Sequence, residues 1–189
     1  MLREIFLRKR LYIIYLLLIV ATLVGELASP LIHVPVSGKS LVKALKREVS
    51  RPVASLATWI FVHNLEVGYL PSLVPYLGVV YMAFITFNTG VYAGKVIDYT
   101  AIRLHMSIPW DITTKLLFVI SPVTVMELFS YTIALDVSTS LGFLIVEKVR
   151  KRRPIPRELL KLLLAEALIG VAVLFISAWV EAFTVKFFA

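Results

Sequence analysis

The stretch LLKLLLAEALIGVAVLFISAWV, Leu159–Val180, decides the class of this chain. A helix needs about 20 mostly apolar residues to cross the hydrocarbon core of a bilayer. This run supplies them, interrupted only by Lys161 and Glu166. A carboxylate at bilayer depth costs ~2.5–3.5 kcal/mol on insertion scales. Glu166 must therefore face other protein or trapped water, which makes it a functional-site candidate.

Similar runs lie upstream. Leu11–Leu27 and Leu73–Ile97 are apolar over comparable lengths. The whole chain is 59% hydrophobic with a mean hydropathy of +0.88, whereas soluble domains are nearer half apolar. The expected class is all-α: a polytopic membrane helical bundle of about five transmembrane helices, forming a single domain over residues 1–189. Pro52–Leu70 is the weakest span because it carries His63, Asn64 and Glu66. Ile112–Val146 is too long for one crossing, and Ser121-Pro122 lies inside it. Proline removes a backbone donor and breaks a helix, so a short helix to Ile120 and a longer one from Pro122 are expected. The fifth span runs from Arg157 to Phe188. Met1–Leu27 has the basic start and apolar core of a leader. Its length and the poor Ala28-Ser29-Pro30 exit predict a retained anchor.

The net charge of +8 gathers at the ends of spans. Anionic head groups and topology account for it there, so membrane lipids are the expected partners and nucleic acid is not. Five spans put Arg3, Arg8, Lys9 and Arg10 on the same side as the run from Lys148 to Lys161. The positive-inside rule then predicts a multi-pass cell-membrane protein with its N-terminus cytoplasmic and its C-terminus extracytoplasmic. Residues 38–51, with Lys43, Lys46 and Arg47 around Leu41, Leu45 and Val49, read as a basic amphipathic segment on the membrane surface. Cysteine and glutamine are absent, and asparagine occurs only at positions 64 and 88. Such depletion of thermolabile residues is expected of a thermophilic source.

Two further glutamates, Glu127 and Glu181, also lie inside stretches apolar enough to cross a bilayer. Thr124, Glu127, Tyr131, Ala134 and Ser138 occupy one helical face, and Glu166, Gly170, Val173, Ser177 and Glu181 another. Counting back from the basic turn between the two spans sets Glu127 level with Ser177 and Glu181. The same count sets Glu166 level with Ser138 and Thr139. Asn88 lies at a compatible depth. The expected intramembrane polar cluster is Glu127, Glu181, Asn88, Ser177 and Thr124, with Glu166, Ser138, Asn64 and Glu66 as secondary positions. Pro122 and the small pair Gly90 and Gly94, a GxxxG, are expected to serve helix packing, within the chain or across a homodimer. Asp136 points away from the Glu127 face, towards another helix or a partner. No His-Glu-x-x-His, glycine-rich phosphate loop or Gly-x-Ser-x-Gly is present. An enzyme, a cofactor and a metal centre are therefore not expected.

Several patches give the chain its likeness to a family. They are Phe61-Val62-His63-Asn64; Asn88-Thr89-Gly90 followed by Gly94; Pro122 with Glu127-Leu128 and Ile133-Ala134; and Glu181-Ala182-Phe183-Thr184. The chain resembles the stage II sporulation protein M (SpoIIM-like) family, whose patterns are Asn-Gly-x-x-x-Gly, Pro-His-Gly-x-x-Glu-Leu and Ile-Glu-Ala-Phe-x-Thr. Val123 and Thr124 stand where the pattern has His and Gly. The resemblance implies a non-enzymatic helical membrane protein, a scaffold or assembly factor in membrane or envelope organisation with a membrane or envelope protein as partner. In that reading Glu127 and Glu181 are dry and bonded to each other. The alternative is a transporter, channel or lipid-handling protein, which predicts a polar cavity reaching Glu127 or Glu166.

Overall fold

A computed structural model describes residues 9–33, 40, 43, 47, 50–105, 108–151 and 154–188. The described residues are helical throughout, with short turns between. α1 is Lys9–Ala28, followed by a single 3-10 turn at Ser29–Leu31. α2 is Val53–Asn64, continued by a π-helical turn, Leu65–Tyr69, and a last helical turn, Leu70–Ser72. α3 is Leu77–Arg103, α4 Ile108–Val119, α5 Pro122–Lys151 and α6 Arg157–Phe188. Most of the expected surface segment at 38–51 lies outside the described residues.

By length and composition four helical stretches can cross a membrane: Lys9–Leu31, Leu77–Ile102, Pro122–Lys151 and Arg157–Phe187. α2, interrupted by its π turn, is not among them, yet it packs antiparallel along α6. Leu56, Ala57 and Ile60 meet Ala178 and Ala182 near one end. Near the other, the Tyr69 hydroxyl donates to the Ala167 carbonyl. The expected break is present: α4 stops at Val119 and α5 restarts on Pro122. Proline suits a first helical position because its missing N–H has no partner to lose there. The Ser121 Oγ caps the new helix by accepting the Thr124 N–H at 3.3 Å.

α1 and α3 run side by side in the same direction, with backbones close. A Cβ on Gly90 would collide with the Thr22 carbonyl, and one on Gly25 with the Phe87 carbonyl. A Cβ on Gly94 would meet the Ser29 side chain. The GxxxG thus serves an interface inside the chain. A central core of Leu18, Tyr69, Met82, Leu128, Tyr131, Leu135 and Leu174 joins α1, α2, α3, α5 and α6.

The register between α5 and α6 differs from the count made from sequence. The Ser130 Oγ donates to the Gly170 carbonyl at 3.0 Å, and the Ser177 Oγ to the Val123 carbonyl at 3.2 Å. Ser177 is therefore level with Val123, one turn before Glu127. The reason lies in the connection. Pro154-Ile155-Pro156 folds back along Leu144, Glu147, Lys148 and Lys151, so α6 begins short of the end of α5.

A cavity at Glu127 as the candidate functional site

Five helices, α1 to α5, converge where α4 and α5 are broken apart. The Ser121-Pro122 break directs the first turns of α5 towards α1 and α3. The π turn of α2 brings Gly68 against the Tyr131 ring, where no Cβ would fit. Single π turns inside helices recur at functional sites. Between these elements lies a cavity of about 90 Å³. A water needs roughly 10–15 Å³ by this kind of measure, so the space holds several waters or one small ion.

Its polar lining comes from Thr22 of α1, Asn64 of α2, Thr86 and Thr89 of α3, and Thr124 and Glu127 of α5. Among the described residues no lysine or arginine lines it, and His63 is its one basic side chain. The Tyr131 hydroxyl donates to Glu127 Oε1 at 2.7 Å. The Thr22 and Thr86 hydroxyls donate back to the Leu18 and Met82 carbonyls of their own helices, at 3.0 and 2.7 Å. A hydroxyl that has given its proton to the backbone keeps only acceptor lone pairs for the cavity. The lining is therefore rich in oxygen acceptors around one carboxyl group, which suits a proton or a small cation.

The expected cluster is dispersed around this cavity. Glu127 and Thr124 line it. The Glu127 carboxyl acts electrostatically on Glu181, and Glu181 on Tyr131, but no hydrogen bond joins the two carboxyl groups among the described residues. Ser177 is spent on the Val123 carbonyl. Asn88 donates at 2.7 Å to the Phe84 carbonyl of its own helix, and its neighbour Thr89 takes the place at the cavity. Of the secondary positions, Asn64 lines the cavity and Glu66 is exposed. His63 also reaches the rim and stacks on Trp59, ring centroids 5.4 Å apart. The Ser138 hydroxyl donates to Val74 in the turn after α2. Glu166 is buried at the α5–α6 side of the bundle, away from the cavity lining.

Asp136, expected to point away from Glu127, meets Arg10 of α1. Sequence reading missed Thr22, Thr86 and Thr89, since threonines in apolar helices carry no signal of their own. It also missed Glu26, Asp98, Asp111 and Lys115, which gather at the end of the bundle where α1 finishes.

The family model for stage II sporulation protein M matches residues 11–185. The chain belongs to the stage II sporulation protein M family. Of the residues that carry the likeness, His63, Asn64, Thr89, Glu127 and Leu128 line this cavity, while Asn88, Gly90, Pro122 and Glu181 do not. In this member Thr124 stands at the second of the two departures from the family pattern, and its side chain lines the cavity. No curated protein and no solved structure matches the chain.

Proposed function

We propose that this stage II sporulation protein M family member is a non-enzymatic, multi-pass membrane protein that binds a proton or small monovalent cation at Glu127. The observation that carries the reading is the acceptor-lined cavity around that carboxyl. One carboxylate with threonine and asparagine oxygens has too few charged ligands for a divalent metal, which draws on several carboxylates or keeps its waters. Interrupted helices line ion sites in secondary transporters, and here Phe118 and Thr124, on either side of the α4–α5 break, both line the cavity. The charge distribution favours a cytoplasmic N-terminus and an extracytoplasmic C-terminus. The test is flux in proteoliposomes. The wild type is expected to dissipate a proton or monovalent-cation gradient, and Glu127→Gln to return the rate to that of empty vesicles. No flux from the wild type would sink the transport form of this reading.

A second reading, a scaffold or assembly factor working with an envelope partner, is favoured by the many hydroxyls that tie helix to helix. Ser130, Ser138, Ser177 and Tyr69 each donate to a carbonyl of a different element. It predicts that Glu127→Gln changes stability and leaves every flux at the background rate. It also predicts co-purification of a membrane partner or a second copy of the chain.

A further inference from the structure

Glu26 is completely buried in α1, and neither of its carboxyl oxygens has a hydrogen-bond partner. α1 and α3 approach closely at this turn. Gly90 and Gly94 of α3 face this turn of α1, and a Cβ on Gly94 would press on the Glu26 carbonyl. The charge that acts on Glu26 is Lys115 of α4. Lys115 is itself buried, its side chain 4% exposed, and it is paired with Asp98 of α3 and Asp111 of α4. The Ser29 hydroxyl of α1 donates to the second oxygen of Asp98 at 2.6 Å. Asp111 Oδ1 is buried without a partner.

Two carboxylates thus pair with one ammonium, whose charge also acts on the unpartnered Glu26. With Asp98 and Asp111 both charged, Lys115 is already over-balanced, and a charged Glu26 would add a further uncompensated buried charge. An ionised carboxylate with neither donor nor water is among the most costly groups to bury, whereas its protonated form is not. Among the described residues no three histidine, aspartate or glutamate side chains are grouped to hold a metal ion. Asp98 and Asp111 are held by Lys115 while the Glu26 carboxyl is buried with no partner, so the ligand that fits Glu26 is a proton.

We propose that Glu26 is a proton-binding site whose release of the proton is governed by Lys115. When Glu26 loses its proton, Lys115 is the nearby cation able to turn towards it, at the expense of Asp98 and Asp111. Lys115 rides on α4, and Phe118 of the same helix lines the Glu127 cavity, as does Thr22 one turn before Glu26. The proposal stands on the Glu26 environment alone and does not need the Glu127 cavity to transport anything.

The experiment is infrared difference spectroscopy across pH on the full-length protein in lipid nanodiscs. Wild type minus Glu26→Gln is expected to isolate one protonated-carboxyl C=O band that disappears as the pH is raised. Lys115→Met is expected to move that disappearance up by about one pH unit or more, because the cation that favours the charged form of Glu26 is gone. Glu26→Asp, which keeps a carboxyl group, should shift the band without removing it, and it serves if the glutamine variant fails to fold. A difference spectrum without a protonated carboxyl at any pH would overturn the proposal. So would a band that Lys115→Met leaves in place.

Discussion

Arg10, in the first turn of α1, forms an ion pair with Asp136 in the middle of α5. The same guanidinium donates to the Ser140 hydroxyl at 2.7 Å and to the Asp136 carbonyl at 3.4 Å. The Asp136 side chain is 2% exposed and that of Arg10 36%. A basic residue that would otherwise mark only the membrane boundary is thus part of the helix-to-helix contact. Asp136→Ala leaves Arg10 facing a buried, unpaired site and is expected to destabilise the protein by about 1–3 kcal/mol. The double variant with Arg10→Ala should lose less than the sum of the two single changes. Thermal melting of the four proteins in one detergent measures the coupling.

The α1–α3 seam tolerates no added side-chain volume. Gly90→Ala would drive a methyl group into the Thr22 carbonyl. Backbone cannot give way as a side chain can, so a loss of about 1–3 kcal/mol or more is expected. Gly142→Ala is the control. The added methyl there meets only the far end of the Tyr76 ring, and Tyr76 is exposed and free to turn. Its melting temperature should stay close to that of the wild type.

Ser121→Ala removes the cap on α5 at the break. The Thr124 N–H loses its acceptor, with an expected cost of ~1 kcal/mol. The change should also loosen the Thr124 side chain, which accepts from the Ser121 hydroxyl at 3.0 Å and lines the cavity. A lower melting temperature with weaker cation protection of the fold is the expected pair of readouts.

Tyr131→Phe separates the cavity from the packing. The ring still fills the space against Gly68, but Glu127 loses its only hydrogen-bond donor among the described residues. Stability is expected to fall by about 1 kcal/mol. Any flux or cation dependence that rests on Glu127 should change more than that modest loss accounts for. Equal effects on both would place the tyrosine in packing alone.

The bundle was legible because hydropathy alone separates Leu11–Leu27, Leu73–Ile97 and Leu159–Val180 from the rest, and because Pro122 cannot continue a helix. The α5–α6 register was not, since it depends on Pro154-Ile155-Pro156 folding back along α5, a path that residue counting cannot see. Glu127 and Thr124 were found as intramembrane polar positions. The other walls of the Glu127 cavity were not, because Thr22, Thr86 and Thr89 line it only through long-range packing of α1 and α3. Glu26 lies near the end of the first apolar run and no motif marks it. Its burial follows from Gly25, Gly90 and Gly94 acting together, which no single stretch of sequence reveals. Asp136 could be assigned a direction from sequence but not Arg10 as its partner, 126 residues away in the chain.

The central claim is that water and small cations reach Glu127 through a polar cavity. The chain contains no cysteine, so a thiol introduced at Thr89 on the cavity wall is the only one present. A thiol reacts as its thiolate, which forms only where water reaches it. In intact membranes, Thr89→Cys is expected to react with a charged, water-soluble thiol reagent, and Tl⁺ or Na⁺ should slow that reaction while Glu127 is present. Thr89→Cys that stays unlabelled in a folded protein, at a rate equal to a lipid-facing control such as Phe84→Cys, would contradict the account.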